Sequence, residues 1–66
     1  MQAVIVIESL DATPVYVIRG YNCGQIYTLN IYDAAHFRTE RDAKAWMEEL
    51  DLDETKWRIV EHAISL

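Results

Sequence analysis

The chain is poor in the residues that loosen or staple a small protein: it has two glycines, one proline and one cysteine. Scarce Gly and Pro argue against a low-complexity or disordered chain, which is enriched in both. The lone Cys23 excludes an internal disulfide, so the core has no covalent support. Long apolar runs are missing too. The run at residues 3–7 holds five, against the roughly 20 needed to cross a bilayer. It also lacks the basic start and the apolar length of about 7–15 residues that a secretion signal needs, so it reads as a strand. Cytoplasm is the expected compartment. Basic residues are few, six against eleven acidic ones, for a net charge of −5. That charge repels phosphate, so neither direct nucleic-acid binding nor docking on an anionic membrane is expected.

What is present is a dense apolar chain. Of 66 residues, 52% are hydrophobic, which points to one small globular domain over residues 1–66. Residues 2–10 are rich in Val and Ile, with Val4 and Val6 on one face and Ala3, Ile5 and Ile7 on the other. Apolarity on both faces marks a central strand. Pro14 follows a polar turn, and residues 15–19 form a second strand. Residues 20–24, with two glycines and Asn22, form a turn, and the alternating residues 25–32 form a third strand paired with the second. Thr39 and Asp42 form a capping pair ahead of a helix over about 40–50. Ala43, Trp46, Met47 and Leu50 make its apolar stripe at the i, i+3, i+4, i+7 spacing. Residues 57–64 form a fourth strand.

The order β-β-β-α-β implies an α+β fold, a four-stranded, mostly antiparallel sheet with one helix on one face. The apolar first strand is placed centrally, giving the spatial order 3-2-1-4. A right-handed crossover through the helix would set the fourth strand parallel beside the first; a place beside the third is the main alternative. One short helix covers one face, so the other is expected to be exposed and to favour a homodimer or another protein partner.

Chemistry-bearing motifs are sparse. His36, His62 and Cys23 lack metal-ligand spacing. Read as a calcium loop, residues 51–62 put Lys56 where glycine is required and His62 where the bidentate Glu belongs. No Walker loop, GxGxxG or GxSxG is present, so no cofactor and no catalysis are expected. The acidic residues are concentrated instead. Glu48, Glu49, Asp51, Asp53 and Glu54 fall within one heptad with no base among them, at a helix end where acids oppose the dipole. With Trp57 and the tyrosines Tyr16, Tyr21, Tyr27 and Tyr32 as apolar anchors, they form the candidate partner-binding set. The expected partner is a protein with a basic surface, such as a nucleic-acid groove.

In size, acidity and its one-helix sheet, the chain is similar to small phage-encoded inhibitors of bacterial defence or transcription machines, a likeness without a shared motif. It implies an acidic inhibitor or adaptor. The alternatives are a structural subunit that forms a permanent homo-oligomer through its apolar sheet face, and, more remotely, a small enzyme with its site at a dimer interface.

Overall fold

A computed structural model describes residues 1–22 and 25–65, without the side chains of 19–22 and 25. Four strands and one helix follow in chain order: β1 (Gln2–Ser9), β2 (Tyr16–Asn22), β3 (Gln25–Thr28), α1 (Glu40–Glu49) and β4 (Trp57–Ile64). The spatial order is β3-β2-β1-β4, as the two-sided apolarity of β1 requires. The turn expected at 20–24 is tighter, because β2 continues to Asn22, which pairs with Gln25; Cys23 and Gly24 lie outside the described residues.

β4 runs antiparallel to β1, with eight register pairs from Gln2↔Ile64 to Ser9↔Trp57. The expected parallel fourth strand is therefore wrong, and the reason lies between β3 and α1. β3 ends at Thr28, four residues earlier than expected, because side chains take over the backbone donors. The Asn30 N–H donates to Thr28 Oγ1 at 3.1 Å and the Tyr32 N–H to Asn30 Oδ1 at 3.0 Å, the local bonding by which Thr and Asn compete with a sheet ladder. The chain then passes back along the sheet. The Ala35 N–H donates to the Val17 carbonyl at 3.0 Å and the Phe37 N–H to the Ile5 carbonyl at 2.8 Å, with Phe37 antiparallel to Ile5. This extra leg reverses the chain once more before the helix, so the crossover rule does not apply and β4 returns antiparallel.

The same leg corrects a second expectation. β1 and β2 share the pair Glu8↔Tyr16, and residues 35–37 bond to Val17 and Ile5 in the gap between them. Ala34 packs with Val4, Val6 and Ile64 on the face away from the helix, joined by Tyr16, Ile31 and Val60. Ala35 and Phe37 belong to the helix-side cluster with Ile7, Val17, Ala43 and Met47. The chain thus crosses from one face to the other. Ile31 and Ala34 cover the part of the face around Val4, Val6 and Ile64 that α1 cannot reach, and Val6 there is 0% exposed. His36 ties the cover down, its Nε2 donating to the Ile31 carbonyl at 2.9 Å.

The helix forms as its sequence directs. The Thr39 hydroxyl accepts from the Asp42 N–H at 3.2 Å, and Ala43 and Met47 are buried. Its end is a Schellman motif: the Leu52 N–H donates to the Met47 carbonyl at 3.0 Å and the Asp51 N–H to the Glu48 carbonyl at 3.1 Å. Asp51 takes the left-handed position, with φ of 53°.

Candidate functional site

The acidic heptad divides once its geometry is known. Asp51 occupies the left-handed C′ position, which Asp tolerates better than most residues. Asp53 builds the turn into β4. Its Oδ1 accepts from the Thr55 N–H at 2.9 Å and the Thr55 hydroxyl at 2.7 Å, while its carbonyl accepts from the N–H groups of Lys56 and Trp57. The Thr55 N–H, then the Thr55 hydroxyl, hold the Asp53 carboxyl below its ordinary range, with help from the Lys56 charge. These two acids thus have local structural reasons. Glu48, Glu49 and Glu54 are exposed and stand at the same end of the molecule.

The aromatic candidates do not form one surface. Tyr27 and Trp57 come together, their rings stacked with centroids 5.3 Å apart and planes at 20°. They belong to the two edge strands, β3 and β4. Between them, β1 presents the small Ser9 opposite Trp57 and β2 presents Val17 opposite Tyr27. Tyr16 packs with the cluster on the other face, where it meets His62 edge-on at 6.2 Å. Tyr32 is exposed on the covering segment, and the side chain of Tyr21 lies outside the described residues.

Around the stacked pair lies the exposed apolar surface. Leu10 is 51% exposed, Tyr27 45% and Leu29 70%. A groove of about 620 Å³ runs between the turn after β1 and the turn before β4, lined by Ser9, Leu10, Asp11, Val15, Tyr27, Thr55, Lys56 and Trp57. Two bonds fix its floor: Ser9 Oγ accepts from the Val15 N–H, and the Ser9 N–H donates to the Val15 carbonyl, both at 2.9 Å. A third joins the walls, from the Leu10 N–H to the Lys56 carbonyl at 3.0 Å. A smaller notch of about 190 Å³ lies on another side of Trp57, lined by Lys44, Met47, Glu54, Trp57, Arg58 and Ile59. Trp57 therefore stands between the apolar groove and the acidic helix end.

A second cluster was not anticipated from the sequence. Glu8 is 2% exposed, and its carboxylate accepts three hydrogen bonds. Arg58 Nε donates to Oε2 at 2.8 Å and Arg58 Nη2 to the same oxygen, while His62 Nε2 donates to Oε1 at 2.8 Å. Burial alone would raise the Glu8 carboxyl, but the Arg58 and His62 bonds outweigh it and hold it below its ordinary value of 4.5. The available signal was a carboxylate at the end of the apolar run of β1, with Arg58 and His62 on one face of β4 at period two. The cluster is a structural clamp from β4 onto β1. It has no nucleophile beside it among its described contacts.

Among the described residues no group of three or more His, Cys, Asp or Glu could hold a metal ion, and no helix is long and apolar enough to cross a membrane. Compared with family models, curated proteins and solved structures, the chain has no match in any of the three.

Proposed function

We propose that the protein is a non-catalytic protein-binding domain, an acidic inhibitor or adaptor that docks on a basic, nucleic-acid-handling surface of a partner in the cytoplasm. One observation carries the reading: the half-buried Trp57, stacked on Tyr27, stands beside exposed leucines and next to Glu48, Glu49 and Glu54. Desolvated aromatic anchors ringed by charge are the usual composition of a protein interface. Acids of one sign beside them steer a basic partner and speed its encounter. The likeness to phage-encoded inhibitors in size and charge points the same way. Self-association through the sheet face away from the helix is the weaker reading, because Ile31 and Ala34 already pack on its Val4, Val6 and Ile64.

The test is capture on the immobilised domain from cells that make it, repeated with Glu48, Glu49 and Glu54 all replaced by Lys. The side chains of these three acids make no turn or cap bond among the described residues, so the fold should persist, which circular dichroism will check. Capture should fail for the reversed domain, and the wild-type complex should dissociate on adding heparin or salt. Partners bound equally by both forms, and indifferent to heparin, would remove the electrostatic reading.

A further inference from the structure

We propose that the groove between the Leu10 turn and the Lys56 turn receives an arginine side chain from an extended segment of the partner protein. The assignment rests on the protein-binding reading above and names the residue type held at its apolar end. Three features of the groove converge on a guanidinium. Its wall is the stacked Tyr27–Trp57 pair, and a guanidinium stacks on the aromatic faces that such a pair leaves open. Asp11 lies in the same groove, exposed and in no ion pair among the described residues, so it is free to accept a guanidinium's parallel donors. Leu10 and Val15 line it and would pack on the aliphatic stem, while Leu29 lies in a neighbouring recess that shares Val15 and Tyr27 and would take an apolar neighbour of the arginine.

Charge complementarity selects the sign. The chain carries −5 overall, and the wall formed by Thr55, Lys56 and Trp57 continues the turn that holds Asp53 and Glu54. Lys56 also lines the groove, so the sign is set by Asp11 together with Asp53 and Glu54 of the adjoining turn, three acids against one base. A neutral apolar side chain would leave Asp11 unused, and an acidic one would meet the negative field of the whole end.

The test uses the peptide acetyl-Leu-Arg-Leu-amide and its neutral isostere with citrulline in place of arginine. Binding is read from the Trp57 indole N–H resonance in a Trp46→Phe background. That change removes an indole N–H with no hydrogen-bond partner and leaves Trp57 as the reporter. The arginine peptide should shift the signal saturably, and the citrulline peptide should bind about tenfold more weakly for want of charge. Asp11→Asn and Tyr27→Leu, both at exposed side chains, should each weaken the arginine peptide while leaving the fold's spectrum in place. No saturable shift, or equal binding of the two peptides, overturns the proposal. The domain with Glu48, Glu49 and Glu54 changed to Lys should still bind the peptide, with a modest, salt-sensitive loss; abolished binding would place the arginine on the acidic turn and also overturn the groove. If the peptide fails while capture of the partner remains sensitive to those three acids, the protein-binding reading stands and the groove assignment alone falls.

Discussion

Replacing Glu8 by Gln should destabilise the domain by about 2–3 kcal/mol at pH 7. The carboxylate accepts two donors from Arg58 on one oxygen and one from His62 on the other. An amide of the same shape offers one acceptor, and its NH2 must then face a donor. Breaking a buried ion pair typically costs about 3–5 kcal/mol. Here the guanidinium side chain is 57% exposed and can return to water, which brings the cost toward the lower end or below. At about 0.05–0.15 kcal/mol per residue, a domain this size has a total stability of roughly 3–10 kcal/mol. The change should therefore be large, lowering the melting temperature by roughly 10–20 °C at about 4–8 °C per kcal/mol. The pH dependence gives an independent check. Because the folded carboxyl titrates below its ordinary value of 4.5, its stabilisation is complete above that value and is lost as pH falls through the folded one. Gln does not titrate, so the gap between wild type and Glu8→Gln should narrow steadily below about pH 4.5. Urea melts followed by circular dichroism at pH 7, 5, 4 and 3 measure both. A difference under about 0.5 kcal/mol at pH 7, within the range of ordinary surface substitutions, would refute the clamp, as would a gap that does not change with pH.

Two further substitutions probe the features that the connection between β3 and α1 and the helix end contribute. Asp51→Gly should stabilise by about 1 kcal/mol, because glycine carries no left-handed penalty at φ of 53° and the change removes an acid from the negative end of the helix; a lower melting temperature would contradict the Schellman assignment. Phe37→Ala should cost about 3–5 kcal/mol, as for other buried Phe truncations, since Phe37 is 5% exposed in the helix-side core. Hydrogen exchange of the Phe37 amide, which bonds to Ile5, should quicken with it, and a loss below about 1 kcal/mol would show that the segment between β1 and β2 is not a structural plug.

The strand order could be read from β1 because Val and Ile on both of its faces require neighbours on both sides. The helix was equally legible, since Thr39 and the stripe of Ala43, Met47, Trp46 and Leu50 agree on its start and its buried side. The direction of β4 was not legible. It depends on the pass at 35–37, and Ala35-His36-Phe37 carries neither strand alternation nor a turn signal; its place is fixed by two backbone bonds to residues distant in sequence. The early end of β3 has a local cause that periodicity hides, the side-chain bonds of Thr28 and Asn30. The Glu8 clamp was hidden for the opposite reason, because it joins positions 50 and 54 residues apart and becomes visible only when the register Glu8↔Arg58 is known. Among the candidate contacts, the pairing of Tyr27 with Trp57 needed the same register, while the separation of Tyr16 from them follows from strand alternation once β2 is placed.

The covered second face changes what small size implies. A ten-residue helix is about 15 Å long and can shield one side of a sheet whose central strand is apolar on both. Were the second side bare, burying it would require another chain. Here Ile31 and Ala34 lie over Val4, Val6 and Ile64, and the clamp of Glu8, Arg58 and His62 occupies another part of that side. The need for a second face is met within the chain. The apolar surface that remains open at Leu10, Tyr27 and Leu29 gathers at the end where the helix stops, where Trp57 enters β4 and where the three unengaged glutamates stand. On the proposed protein-binding reading, an anchor and a charge of one sign at one end of the domain suit insertion into a concave, basic partner better than the flat pairing of two sheets.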